Sequence, residues 1–239
     1  MNGLTSGREA QVETMNPDVD LRRSQVYGFL SAAFLYPQEN WTQDAPVVEG
    51  ILRDLGGMRA GLPQEPLELA DLQQAHRRTF GVAGPLCYET EYGLPHEFRQ
   101  SQELADLNGF YRAFGFTIGG PVRERPDHLA VELEFMHVLA LKACLAAEKG
   151  DREQAERCQE AQRVFLGDHL VGWMDAFPER ISHGAVSGPY PALARFAAEF
   201  IKDDAAKMGV AAGGTQVAGP TPFDPDPSCE GCPASPERG

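Results

Sequence analysis

The stretch DHLAVELEFMHVLALKACLAA, Asp127 to Ala147, decides the fold. Its hydrophobic residues surround the helix axis instead of forming one stripe, which predicts a helix buried on all sides at the centre of a bundle. Glu132, Glu134 and His137 interrupt the run. A lone carboxylate inside a bundle costs several kcal/mol, so these residues are expected to have polar partners or to face a groove. Arg125-Pro126-Asp127-His128 opens the segment. Proline suits a first helical turn and aspartate there complements the helix dipole.

Outward from this helix, the periodicity stays helical. Val26, Leu30, Ala33 and Phe34 form one stripe, ended by Tyr36-Pro37. Val48, Ile51, Leu52 and Leu55 form a second, ended by Gly56-Gly57. A third helix is expected over Leu67–Phe80, and a fourth carries Leu104, Leu107, Tyr111 and Phe114 up to Gly115. The fifth is the central one, from Asp127 to Glu148. A sixth begins near Arg152 and includes Val164, Phe165, Trp173 and Met174, with a break expected at Gly167. A seventh carries Leu193, Phe196, Ala197 and Phe200. The i, i+3, i+4, i+7 spacing throughout, with no alternating strand and no hairpin turn, predicts an all-α, single-domain helical bundle. Its bounds are read as 19–208. Residues 1–18 read as a flexible arm, and 209–239 as a disordered Gly/Pro-rich tail. The run FGFTIGGPVRERP, with Gly119, Gly120 and Pro126, reads as a hinge between two long helices.

The chain has 239 residues and a formal net charge of -14. That balance argues against nucleic acid, whose phosphates need Lys and Arg, and favours basic partners. The first residues lack the apolar core of a signal peptide. No apolar run approaches the ~18 residues of a membrane span. The expected compartment is the cytoplasm. Five cysteines, three of them in apolar or helical surroundings, fit reduced thiols better than a disulfide framework.

Tests for catalytic and metal chemistry return little. Glu134-Phe-Met-His137 has the Glu-x-x-His spacing of carboxylate-bridged di-iron bundles, and a metal-dependent helical enzyme using these two residues is the alternative reading. Such a site needs a second copy, and Glu179 and His183 are one residue too far apart to supply it. At ~100° per residue, His137 lies opposite His128 and Glu132. Cys229-Glu-Gly-Cys232 is at most half a zinc or redox site. There is no Gly-x-Ser-x-Gly elbow and no phosphate-binding loop. Glu89 and Glu91 as an acid/base pair lack any sign of a substrate. The expectation is a protein that is not an enzyme and carries no cofactor.

One further stretch is unusual. CYETEYGLPHEFRQ, Cys87 to Gln100, is too aromatic for a plain surface loop and too charged for core. Tyr88-Glu89-Thr90-Glu91-Tyr92-Gly93 is followed by LADLNGFYRAFG from Leu104, then by Glu124-Arg125-Pro126-Asp127-His128-Leu129 and Glu132-Leu133-Glu134-Phe135-Met136. This order resembles the TorD/DmsD/NarJ family of molybdoenzyme maturation chaperones over the whole helical region. It is nearest to those serving enzymes like dimethylsulfide dehydrogenase, chlorate, selenate reductase and ethylbenzene dehydrogenase. The resemblance implies a TorD-like helical fold and a cytoplasmic chaperone without catalysis of its own. It implies binding of the twin-arginine leader and apo form of a molybdopterin oxidoreductase's catalytic subunit, cofactor insertion, and restraint of premature export. On that reading Glu89, Glu91, Asp127 and Glu132 meet leader arginines, Tyr88, Tyr92, Phe110 and Met136 wall the apolar contact, and His128 orders the start of the fifth helix. The chain is expected to be a monomer or a helix-swapped dimer.

Overall fold

The central helix forms as its sequence demands. In the computed structural model, which describes residues 16–56, 58–81, 87–92, 97–119, 124–183 and 188–210 (the side chains of 97–99 excepted), it spans Leu129–Glu148 and is α5. The helices in chain order are α1 Pro17–Phe34, α2 Ala45–Asp54, α3 Leu69–Phe80, α4 Glu97–Ala113, α5, α6 Arg152–Phe165, α7 Ala176–His183 and α8 Tyr190–Lys207. Among the described residues there is no strand. The only sheet-like pairing among them is an isolated antiparallel bridge between Tyr88 and His128.

Local chemistry sets the boundaries. Asn16 caps α1 by accepting from the Asp18 N–H at 3.1 Å, and Pro17 occupies the first turn. Helical structure therefore begins inside the stretch expected to be an arm; residues 1–15 lie outside the described residues. Gly150 takes φ 75° after α5, a conformation that favours glycine, and Asp151 then caps α6 through the Gln154 N–H. The two helices thus turn back on each other.

α1 and α5 make the most extensive helix pair, with α6 against the other side of α5. Small α1 residues permit the close approach. A Cβ on Gly28 would stand 3.1 Å from His137 Nδ1. Ser31 donates to the Ala130 carbonyl at 2.8 Å, and Ser24 Oγ lies 2.8 Å from His137 Nδ1. At the far end, Arg23 grips Asp204 with two nitrogens, at 2.6 and 2.8 Å, and Asp20 with a third at 2.8 Å. Tyr27 also donates to Asp204, and Gln159 to Asp20. This buried cluster ties α1, α6 and α8 together.

The expected sixth helix is the main correction. α6 stops at Phe165, a π-helical turn covers Leu166–Leu170, a 3-10 turn covers Val171–Trp173, and α7 is a separate helix. Val164, read as a buried-stripe residue, is 38% exposed, whereas its neighbour Phe165 is buried. α5 begins at Leu129, so Asp127 precedes it and His128 is the cap. α4 begins at Glu97, which places the end of the Cys87–Gln100 stretch in a helix. Gly119 is exposed and Gly120 lies outside the described residues. Pro126, read as a hinge residue, is pinned instead: its carbonyl accepts from the Tyr111 hydroxyl at 2.7 Å. The 209–239 tail call falls outside the described residues beyond Val210.

Because Arg23 and Asp204 are both buried, removing Asp204 takes away two of the three carboxylate bonds that hold the Arg23 guanidinium and leaves it with the Asp20 carboxylate alone. Asp204→Ala is expected to cost about 3–5 kcal/mol in urea unfolding. A loss below about 1 kcal/mol would show that the cluster does not anchor the helices.

Candidate functional site

The site is built where the Cys87–Tyr92 segment lies against the start of α5. Two backbone bonds zip them together: the Glu89 N–H to the Asp127 carbonyl at 2.9 Å, and the Leu129 N–H to the Cys87 carbonyl at 2.7 Å. Asp127 has no exposed surface. Its carboxylate takes two nitrogens of Arg125, at 3.0 and 2.7 Å, and the Thr90 hydroxyl at 2.7 Å. Arg125 stacks over the Tyr88 ring at 4.5 Å, and the Tyr88 hydroxyl donates to Glu124 at 3.1 Å. Burial and the Glu124 charge push that phenol up to about 12.

His128 completes the joint. Its Nδ1 accepts the Ala130 N–H at 3.1 Å, so the side chain acts as the α5 cap. A capping acceptor must be unprotonated. Burial, with the nearby His76 and Arg125, lowers this imidazole to about 4, consistent with that tautomer.

From this joint the 3-10 turn Glu89–Glu91 sends Glu89 inward and leaves Glu91 exposed. The Glu89 carboxylate lies 3.2 Å from His169 Nδ1 on the π-helical turn. Burial raises the Glu89 carboxyl; the His169 contact opposes that, and the charges of Glu103 and Asp127 add to it. Behind Glu89 sits Glu132, with no exposed surface and no N–H or O–H donor from a described residue on either oxygen; the side chain it meets is the carboxyl of Glu89. Burial first, then the charges of Glu89 and Asp127, push its carboxyl well above the ordinary range.

Glu89 and His169 form one wall of a groove of about 550 Å³. Glu103 and Asp106 of α4 and Asp168 of the π-helical turn line it with further carboxylates, and Phe110 and Phe114 supply apolar surface. A second groove of about 560 Å³ shares Phe110, Ala113 and Phe114 and continues past Val164 to Lys142 and Arg157. The two make one trough, acidic at one end, aromatic in the middle and mixed in charge at the other, where Glu160 stands with Lys142 and Arg157. A cavity of about 650 Å³ at the far end of the bundle surrounds Arg23 and Asp204, whose charges already satisfy one another.

The structure therefore gathers Tyr88, Glu89, Glu91, Asp127, His128 and Glu132 around one joint, with Phe110 in the adjoining trough. It separates them by depth. Tyr92 and Met136 are core residues, 1% and 0% exposed, and do not wall an open surface. Tyr92 packs on Trp173 with ring centroids 4.8 Å apart. Asp127 and Glu132, read as contacts for arginines, are equally enclosed. Glu134 is exposed and His137 points to Ser24, so the two do not converge as a metal pair. Among the described residues no three His, Cys, Asp or Glu side chains converge on a metal position. Cys229 and Cys232 lie outside the described residues.

A sequence profile of the nitrate reductase delta subunit family matches residues 45–179, more than half of the chain. The chain belongs to this TorD/NarJ family. It is 31% identical to the chlorate reductase assembly chaperone protein of Ideonella dechloratans over 170 residues, 70% of this chain and 81% of that one. It is 29% identical to the selenate reductase assembly chaperone protein of Thauera selenatis over 198 residues, 82% of this chain and 95% of that one. The match to the chaperone protein TorD of Vibrio cholerae is 33% identical over 106 residues, 44% of this chain and about half the length of that relative, at 46%.

Within this TorD/NarJ fold, sequence reasoning missed Glu103, Asp106, Asp168 and His169. A signal existed for the first two. Glu103, Asp106 and Phe110 follow i, i+3, i+7 spacing beside the fully buried Leu107–Tyr111 stripe of the same helix.

The enclosed Glu132 carries a pH signature. A carboxyl raised on folding contributes stability that is fully present below its unfolded range and lost as pH rises through its folded value. Glu132→Gln keeps the shape without the charge. It is expected to match the parent chain in acid and to exceed it by roughly 1–3 kcal/mol at alkaline pH. Urea unfolding across pH 4–9 measures this; a pH-independent difference contradicts it.

Proposed function

We propose that this chain is a cytoplasmic assembly chaperone, without catalysis of its own. It holds the apo catalytic subunit of a molybdopterin oxidoreductase by its twin-arginine leader while the cofactor is inserted. The observation that carries this reading is the bipolar trough over Phe110 and Phe114. A twin-arginine leader is a basic segment followed by an apolar one. The acidic end, with Glu89, Asp106 and Asp168, suits the arginines, and the phenylalanines and Val164 suit the apolar run. The order of the two surfaces sets the direction of the bound peptide, arginines at the π-helical turn and apolar residues toward α6.

The net charge of -14 steers a basic leader from a distance, and the groove carboxylates give it a destination. Asp127, Tyr88 and His128 act one step back, by holding Glu89 in place. The likeness to assembly chaperones of chlorate and selenate reductases supports the assembly role. In this reading the client is a large reductase subunit of the same chemical kind.

Asp106 and Asp168 are exposed, so reversing them leaves the core untouched. The double variant Asp106→Lys with Asp168→Lys is expected to bind a synthetic twin-arginine peptide at least about tenfold more weakly by fluorescence anisotropy. The salt dependence of binding also flattens. Unchanged affinity removes the trough as the leader site. A pull-down that recovers a client equally with and without its leader places recognition on the mature subunit.

A further inference from the structure

The enclosed pair behind the groove wall is the feature that leader binding alone does not use. Glu132 is fully buried in the first turn of α5, and neither of its oxygens receives an N–H or O–H donor from a described residue. Its side chain meets the carboxyl of Glu89 within hydrogen-bonding reach, and Glu89 reaches the groove. Two carboxylates in such contact do not both ionise unless a cation joins them. The groups around the pair are Asp127, Arg125 and His128 from the segment before α5, Glu103 and Tyr111 from α4, and His169 from the π-helical turn. Among the described residues at this joint Arg125 carries a permanent positive charge, and it is committed to Asp127.

We propose that Glu89 and Glu132 share one proton in the free chain and release it when a guanidinium of the bound leader docks on Glu89, which makes this end of the groove a proton-linked cation subsite. This rests on the leader-binding reading. In the free chain the Glu132 hydroxyl faces the Glu89 carboxylate, and the pair carries one negative charge. An arriving guanidinium donates its N–H groups to Glu89 from the groove side. Glu89 retains lone pairs for both His169 and the guanidinium. The added positive charge removes the reason for Glu132 to stay neutral, and its proton leaves to solvent. The bound state has two carboxylates against one guanidinium, and no bond other than O–H is broken. Leader affinity then rises with pH by up to about tenfold per pH unit over the range in which the free pair holds its proton. A neutral analogue of arginine does not trigger the release.

The test is isothermal titration calorimetry of the full chain with a synthetic twin-arginine peptide at pH 7, in phosphate, HEPES and Tris. The dependence of the observed heat on buffer ionisation counts protons. The expected result is release approaching about one proton per peptide. With citrulline in place of both arginines, release falls to none. Glu132→Gln is expected to retain measurable binding, to lose the release and to lose the rise of affinity with pH. Release that persists in Glu132→Gln, or parent-chain binding without release, overturns the proposal. Carbon-13 NMR titration of the glutamate carboxyls in the free chain needs no peptide: a Glu89/Glu132 pair fully ionised at pH 7 overturns the proposal even if the leader binds. A pair that holds its proton in a chain that binds no leader peptide overturns the leader reading and the cation subsite with it.

Discussion

The Asp127 carboxylate has no contact with solvent, yet every functional element near it is held through it or its backbone. Its two oxygens fix Arg125 and Thr90, and its carbonyl fixes the Glu89 amide. Charge-assisted bonds of this kind contribute about 1.5–3 kcal/mol each when buried. The segment Cys87–Tyr92 therefore has one position relative to α5, and Glu89 has one direction in which to point. That direction sets the contact with His169, the enclosure of Glu132 and one wall of the trough.

The trough itself is a product of helix registry. α6 runs its buried stripe through Ala155, Cys158, Ala161 and Phe165. A regular helix would continue the stripe past Gly167. The π-helical turn rotates the chain instead, so that Leu166 and Leu170 enter the core while Asp168 remains exposed and His169 turns to Glu89. Wider turns of this type recur at functional sites because they redirect side chains without ending the helix. α4 supplies the opposite wall with two parallel stripes. Leu107 and Tyr111 are buried in the core, and Phe110 and Phe114 stand half-buried in the trough with their edges on Phe135.

Much of the fold was legible because hydrophobic periodicity encodes helices directly. The all-round apolar run of α5 announced a central helix, and α5 lies between α1 and α6. The break near Gly167 was legible as well, but its form was not, since composition does not distinguish a π-helical turn from a loop. α7, Ala176–His183, was not read from the sequence: the sixth helix was followed only to Met174, and α7 is too short to show a long periodic stripe. At the site, four of the residues named from the sequence, Tyr88, Glu89, Asp127 and His128, meet at one joint although two lie well before the other two in the chain. Depth was the illegible quantity. Nothing in the letters separates the exposed Glu91 from the enclosed Glu132, or the half-buried Phe110 from the buried Tyr92. Depth depends on which helices cross overhead, and that is settled only by the packed structure.

A basic-then-apolar leader seated as proposed, between α4 and the π-helical turn, leaves a footprint that amide chemical-shift mapping of the isotopically labelled chain with a twin-arginine peptide reads residue by residue. The expected perturbations are concentrated on Glu103–Phe114, Leu166–Leu170 and Glu89–Glu91, with residues around Arg23 and Asp204 unmoved. Perturbations centred on the Arg23 end of the bundle, with α4 silent, would contradict that placement.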